Sequence, residues 1–545
     1  MTLTSLTFFA FVLAVLIVYY LIPKRLRWLV LLAASLVFYG LLALKSLPFI
    51  LFTALSTWAG ALWLGQVTRK RTQIWNEQKS GWDPAARKAY KKQTQKMKRR
   101  ILALILVLNF GILAVLKYYD FVVEQINRNA GGHLSFLGIL LPLGISFYTF
   151  QSMGYLIDIY GEKMPPESNP LRYLLYVTFF PQIIQGPIAD YQKLAPQLYE
   201  GQDLRYENLK YGFQLILWGL FKKMVIADRL AVSLQSLLPV KDEISNAWQL
   251  LILLIYCAQL YCDFSGGIDV VRGVGGMLGI EMAVNFKRPF FSKGLAEFWQ
   301  RWHISLCAWL RTYLLYPIAV SKPFLRFGNR IIEKSRSEQE LPEDSLWGGF
   351  TFIQHLGRVL PGAIATLITF LIIGIWHGAS WQYAGYGVWN GVILFFSMLL
   401  APVFQWLIRR LHIQTESTGW KVWQILRTAV IVGLSFTFDI ADGLMDALRM
   451  IGKCFTPVLG PTTHLGTAVD TGLAGADWGV VIAGLLIVFA VSLYQELTGR
   501  KVRESLNADS AWVSWVLTLG CLIAVVIFGM YGPGVASGEF VYMQF

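Results

Sequence analysis

Charged residues are scarce in this chain of 545 residues. Only 15% of them are charged, whereas 55% are hydrophobic. A soluble protein of this length would divide into several domains with charged surfaces. Here, many apolar segments of about 20 residues are each long enough to cross about 30 Å of hydrocarbon. We therefore predict an all-α, polytopic integral membrane protein in which residues 1–545 form a single helical domain.

Residue patterns for several kinds of chemistry are also absent. The five cysteines are an odd number and follow no zinc or redox spacing. The sequence contains no GxSxG, HExxH or Walker A motif, and no histidine is followed by an aspartate four residues on. These absences argue against metal enzymes, hydrolase triads and ATPases. We predict neither a metal site nor a bound cofactor.

Basic residues exceed acidic ones, and the net charge is +15. They lie between apolar segments and form no separate domain, which argues against nucleic-acid binding and favours contact with the head groups of the lipid bilayer. The loop Val67–Arg100 is basic, and the insert Ser321–Arg358 is polar with mixed charge. The positive-inside rule predicts that Val67–Arg100 is cytoplasmic, and the insert also resembles a cytoplasmic loop. Alternating spans then put both termini outside, with the first 22 residues as a span and not a signal peptide.

Two apolar stretches carry residues that interrupt a helix. Phe136–Ile159 contains proline, glycine and several polar residues, and Tyr173–Gln197 contains three prolines. Non-helical backbone at membrane depth is tolerated only where it is buried in protein or lines a cavity. We predict a broken span in the first stretch, which either lines a cavity or packs as a kinked helix. The second stretch is predicted to form short helices in the membrane interface.

Two of the six histidines stand in apolar or aromatic surroundings. His303 lies in Asn285–Tyr316, NFKRPFFSKGLAEFWQRWHISLCAWLRTYLLY, which is both aromatic and basic. From Leu295 onward, a helix is predicted because apolar and aromatic residues recur at steps of three and four. The residues that share its face are Trp299, Trp302, His303, Leu306 and Leu310. His377 lies in GIWHGASW, at the end of nearly twenty apolar residues.

The chemistry of His377 follows from its surroundings. Burial in apolar surroundings disfavours the charged imidazolium, so this ring is expected to be neutral. A neutral imidazole can take a proton from a hydroxyl or thiol as that group attacks an acyl carbonyl. The alternative is a core histidine that is hydrogen-bonded to a backbone carbonyl. Basic residues near His303, namely Lys287, Arg288 and Arg301, either hold a phosphate-bearing donor or anchor the chain at the cytoplasmic interface.

Several stretches together resemble a known family. They are PFFSKGLAEFWQRWHISLCAWLRTYLLYP (Pro289–Pro317), GIWHGASWQYAGYGVWNG (Gly374–Gly391), LPLGISFYTFQSMGYLIDIY (Leu141–Tyr160), FFPQIIQGPI (Phe179–Ile188), YCDFSGGIDV (Tyr261–Val270) and FVYMQF (Phe540–Phe545). The sequence resembles the membrane-bound O-acyltransferase family. In particular, it is similar to the bacterial branch of alginate O-acetylation proteins, peptidoglycan O-acetyltransferases and the teichoic-acid D-alanylation membrane protein.

The resemblance implies an MBOAT-like helical bundle around a transmembrane tunnel in the bacterial inner membrane. It implies that His377 is catalytic and that His303 assists it. The acyl donor would be acetyl-coenzyme A or the thioester of a cytoplasmic carrier protein, and the acceptor would be reached from the other face. An SGNH-type acetyltransferase outside the membrane is the expected partner. Trp299, Trp302 and Trp376 would form the wall of the passage, and Asn390 would hydrogen-bond in the site.

Three other functions remain open at this point. The chain could transfer D-alanine to teichoic acid from a carrier protein, as one member of the same branch does. It could be a transporter or channel that uses His377 as a proton relay, although the sequence indicates neither paired intramembrane carboxylates nor inverted repeats. It could also be a non-catalytic subunit of an assembly.

Overall fold

The fold is entirely helical in the part of the chain that the structure describes. This computed structural model describes residues 2–183, 185–244, 246–334, 346–347, 351–456, 469–509 and 511–531, where it contains α-helices and no strand. The helices in the first half are α1 Leu6–Leu21, α2 Arg27–Ala43, α3 Leu47–Gln78, α4 Pro84–Ala130, α5 Ile145–Tyr160, α6 Pro170–Thr178, α7 Phe180–Ile183, α8 Tyr191–Glu200, α9 Tyr206–Leu220, α10 Asp228–Leu237 and α11 Asn246–Met277. Those that follow are α12 Leu295–Arg301, α13 Ile304–Leu310, α14 Tyr316–Ala319, α15 Lys322–Lys334, α16 Phe352–His377, α17 Trp381–Leu399, α18 Ala401–Arg410, α19 Thr418–Ile440, α20 Leu444–Phe455, α21 Gly475–Thr498, α22 Val502–Asp509 and α23 Ala511–Phe528.

Long apolar helices confirm the prediction of a polytopic membrane protein. Within the described ranges, six helical stretches are long and apolar enough to cross a membrane. Two helix pairs, α13–α14 with α15 and α17 with α18, also pass this test, although they bend by 52° and 58°. The count rises to eight if each bent pair is one span. In Tyr173–Gln197, the predicted short helices are present as α6, α7 and α8.

The basic segment Val67–Arg100 forms a helical hairpin. Helix α3 continues to Gln78, and α4 begins at Pro84 after a short turn. Asp83 caps α4, since its side chain accepts a hydrogen bond from the Ala86 amide at 2.6 Å. The 47 residues of α4 are about 70 Å long at 1.5 Å per residue, more than twice the hydrocarbon thickness. Both helices therefore extend beyond any single span.

The polar residues of the broken span face protein. Helix α5 begins only at Ile145, after Gly144 in the left-handed conformation with φ 72°. A Cβ at Gly144 would lie 2.6 Å from the Ile183 carbonyl oxygen, so this close approach requires glycine. Gln151 is buried and donates to the Tyr176 carbonyl at 2.7 Å. The break at the start of α5 therefore agrees with the prediction, and Gln151 is satisfied by packing against α6.

Helices α16 and α17 form an antiparallel pair that carries His377 at its turn. The two helices approach closely at Gly374, where a Cβ would collide with the Tyr383 carbonyl, and at Gly387, where it would collide with the Phe370 carbonyl. Small residues at such contacts allow membrane helices to pack backbone to backbone. The predicted insert Ser321–Arg358 contains α15 and the start of α16, and most of the residues between them lie outside the described ranges.

Candidate active site

A single buried cavity contains both histidines that the sequence analysis selected. It lies between α11, α12, α13, α16, α17 and α19, and its internal volume is about 30 Å³. Most of its wall is aromatic or aliphatic. The lining residues are Tyr256, Leu260, Phe264, Trp299, Trp302, His303, Leu306, Cys307, Ile373, His377, Tyr386, Phe436 and Asp439. Two residues that are 74 positions apart therefore share one site.

His377 is the last residue of α16, and aromatic rings surround it. Its ring centroid lies 5.4 Å from that of Tyr386, with the planes near perpendicular, and 6.4 Å from that of Tyr383. The following residue, Gly378, is extended, and a Cβ there would collide with the ring of Tyr383. This turn has space only for glycine. Because the chain reverses directly after the histidine, Tyr383 and Tyr386 of α17 pack near the imidazole.

His303 lies at a break between two short helices, where the sequence analysis predicted a continuous one. That prediction was wrong, because α12 ends at Arg301 and α13 begins at Ile304. His303 itself has φ 45°, in the left-handed region that is uncommon for residues other than glycine. The amide of Ile304 donates to the Asn285 backbone carbonyl at 3.0 Å, and thus binds outside its own helix.

Asn285 holds the break together from the preceding segment. Its side-chain Oδ1 accepts hydrogen bonds from the Ser305 amide at 3.0 Å and from the Ser305 hydroxyl at 2.9 Å. The same oxygen lies 3.4 Å from Nδ1 of His303. His303 is buried, and Phe264 packs edge-on against its ring at 5.0 Å. Although the helix is broken, Trp299, Trp302, His303 and Leu306 still line one cavity, as their spacing predicted.

The three tryptophans occupy different positions. Trp299 and Trp302 line the cavity. Trp376 instead stacks on Phe150, with ring centroids 5.7 Å apart, and is not among the lining residues. Asn390 is fully buried and donates to the Tyr386 carbonyl of its own helix at 3.0 Å, also away from the cavity wall. Substrate contacts at these positions stay predictions.

Two of the three predicted donor-binding cations are paired within the protein. Arg288 Nε lies 2.6 Å from Glu496, and Arg301 makes two 3.0 Å hydrogen bonds to the same carboxylate. Arg301 also contacts Glu297 at 2.6 Å. Lys287 is exposed. A phosphate that bound to the two arginines would therefore compete with Glu496.

The structure also places residues at the site that the sequence analysis did not select. Asp439 is the one carboxylate among the lining residues, and it stands near the end of the apolar helix α19. A charged residue within an apolar run is a functional candidate by default, so this signal was available in the sequence. Asn285 gave no such signal, because its role depends on the fold. Among the described residues, no group of three or more His, Cys, Asp or Glu is arranged to hold a metal ion.

Paired carboxylates, which the sequence analysis did not find, are present in the bundle. Asp228 and Asp263 both contact Nζ of Lys223, at 2.9 and 2.5 Å, and the three side chains are almost fully buried. Next to them, Lys222 binds Asp269 at 2.8 Å. None of these residues is in the lining of the cavity. The expectation that the chain has no paired carboxylates was therefore wrong, but the pair is separate from the histidines.

Comparison with known proteins identifies the family. Residues 162–330 match the family model described as MBOAT, membrane-bound O-acyltransferase family. The chain is 29% identical to a probable alginate O-acetylase AlgI of Pseudomonas putida, over 97% of this chain and 96% of the relative. It is 30% identical to the corresponding protein of Pseudomonas syringae, over 88% of this chain and 79% of the relative. It is also 30% identical to a peptidoglycan O-acetyltransferase of Helicobacter pylori, over 67% of this chain and 66% of the relative. The chain therefore belongs to the membrane-bound O-acyltransferase family, and it is a multi-span membrane acyltransferase.

Proposed function

We propose that the protein passes an acetyl group from a cytoplasmic thioester across the inner membrane to an acceptor on the outer side. The acetyl group would then serve the O-acetylation of an exopolysaccharide or of the cell wall. The observation that carries this proposal is the shared cavity of His303 and His377, which is buried, largely aromatic and without a metal cluster among the described residues. The acetylases among its relatives support acetyl as the group that is transferred.

His377 acts as the general base in this proposal. Its imidazole accepts the proton of the acceptor hydroxyl while the hydroxyl oxygen forms a bond to the acyl carbon. The bond between the acyl carbon and the thioester sulfur then breaks. The thiolate leaves with the proton that the imidazolium returns, so the histidine ends neutral. His303, whose Nδ1 lies 3.4 Å from Oδ1 of Asn285, orients or assists His377 in the same cavity.

The donor is acetyl-coenzyme A or the thioester of a carrier protein, and it approaches from the cytoplasmic side. The basic segment Val67–Arg100 and the exposed Lys287 favour that side for an anionic donor. The positive-inside rule then puts both termini outside. A secreted acetyltransferase of the SGNH type is the partner that would receive the group, because the bilayer separates the donor from the polysaccharide.

The test replaces His377 with Ala in cells that depend on this chain for acetylation. Mild alkali releases ester-linked acetate and D-alanine from the isolated polysaccharide, and both are quantified. We expect acetate to fall to the level of the deletion strain while the amount of membrane-inserted protein is unchanged. His133→Ala, at an exposed position, is the matched control and should keep full acetylation. Unchanged acetate in the His377 variant would refute the proposal, and loss of D-alanine instead would support the teichoic-acid alternative.

A further inference from the structure

The end of α16 is held by side chains from α4. Nζ of Lys117 donates a hydrogen bond to the Trp376 carbonyl. The hydroxyl of the next residue, Tyr118, donates to the Ile375 carbonyl at 2.8 Å. The last four carbonyls of an α-helix have no partner inside the helix, and Gly378 leaves the helical path. Two of these carbonyls, directly before His377, are therefore capped from another helix.

Lys117 also acts on the rings around this helix end. Its ammonium lies over the indole of Trp376, 5.6 Å from the ring centroid. The indole of Trp376 also stacks on the ring of Phe150. The ammonium group thus contacts both a helix carbonyl and an indole face at the end of α16.

The same face of α4 continues past the turn that follows His377. Phe121 packs edge-on against Trp381 at 5.9 Å, and Gln125 accepts a hydrogen bond from the Trp381 indole at 3.3 Å. Residues four apart on a helix lie one above the other, so Lys117, Phe121 and Gln125 form one row. This row contacts the chain on both sides of the turn 378–380, since Trp381 begins α17.

We infer that Lys117 and Tyr118 are positioning residues that set the location of the His377 imidazole in the cavity. Neither is in the lining of the cavity, so they act through α16 and not on the substrate. A displacement of about 1 Å at a catalytic group can reduce the rate about 100-fold. The kinetic part of this inference rests on the proposed function, whereas the structural part does not.

The first experiment compares variants of α4 in the full-length protein, reconstituted in nanodiscs with acetyl-coenzyme A as the donor probe. Lys117→Met removes the hydrogen-bond donor and the positive charge at similar side-chain length. We expect kcat to fall about 10- to 100-fold, with the KM for acetyl-coenzyme A unchanged. Lys117→Arg keeps both properties and should restore most of the rate. Tyr118→Phe should lose several-fold. Tyr119→Phe is the matched control, since Tyr119 is exposed and should retain full activity.

The second experiment measures the helix end directly, by hydrogen–deuterium exchange of the peptides that cover residues 370–385. Lys117→Met should speed exchange in the last turn of α16, whereas Tyr119→Phe should leave it as in the unmodified protein. If the unmodified protein and His377→Ala are equally inactive, acetyl-coenzyme A is ruled out as the donor, and the exchange result still decides the positioning role. Full activity and unchanged exchange in Lys117→Met would overturn the inference. A raised donor KM with normal kcat would also overturn it, because it would place Lys117 at the substrate.

Discussion

Removal of the Lys223 ammonium is expected to destabilise the bundle strongly. Lys223 lies in the π-helical segment Phe221–Ala227, and its side chain is 4% exposed. The two aspartates that it contacts, Asp228 and Asp263, are 3% and 0% exposed. Lys223→Met keeps the length of the side chain but leaves two buried carboxylates without this cation. Breaking a buried ion pair by removing one partner costs about 3–5 kcal/mol, because the remaining charge is not compensated.

The free energy of unfolding can be measured by titrating the purified protein in mixed micelles with SDS. We expect Lys223→Met to lower it by about 3–5 kcal/mol, which reduces the ratio of folded to unfolded protein by a factor of about 160 to 5,000. The triple variant Lys223→Met, Asp228→Asn, Asp263→Asn removes all three charges and should recover much of the loss. Lys193→Met, at an exposed position, is the matched control. If Lys223→Met lowers the free energy of unfolding by less than about 1 kcal/mol, the reasoning is refuted, because removing the cation next to a buried charge should cost more than that.

Two further predictions concern the surroundings of the cavity. Glu496→Gln removes the carboxylate that Arg288 and Arg301 share, although Arg301 keeps its contact with Glu297. If these arginines bind the donor, the donor KM should fall about 10-fold or more, because a charge-assisted hydrogen bond contributes about 1.5–3 kcal/mol. An unchanged KM with lower thermal stability would assign the two arginines to structure alone. Gly374→Ala inserts a methyl group where α16 meets α17. We expect it to cost about 1–3 kcal/mol of stability and to reduce acetate transfer. The control is Gly362→Ala in the same helix, where the nearest atom to the new Cβ is 3.6 Å away, and it should leave acetate transfer unchanged.

Much of the membrane architecture could be predicted from the sequence, because an apolar run of sufficient length has few other stable states in water or lipid. The apolar run that follows Val67–Arg100 lies within α4, and the predicted break in Phe136–Ile159 is present at Gly144. The ends of the helices were harder to predict. Helix α3 continues to Gln78 into polar sequence, since helix formation depends on backbone hydrogen bonds and propensity as well as on hydropathy.

The candidate site was predicted in part. The spacing of Trp299, Trp302 and His303 placed them on one side of the chain, and all three line the cavity. The break at His303 could not be predicted from periodicity, because it depends on Asn285 at a neighbouring segment. Likewise, Lys117 reaches the α16 end across 259 residues of sequence. Contacts of this kind exist only after the chain has folded, so local patterns do not contain them.

The basic hairpin of α3 and α4 has a consequence for how the chain enters the membrane. Residues 67–100 contain twelve lysines and arginines but only two acidic residues. During synthesis, this hairpin emerges after the first three apolar segments and before most of the bundle exists. Moving so many cations through hydrocarbon would cost far more than inserting one apolar helix gains. We therefore expect the hairpin to stay on the side of the membrane where it is made, so that it fixes the orientation of α3 and α4 before the later helices insert.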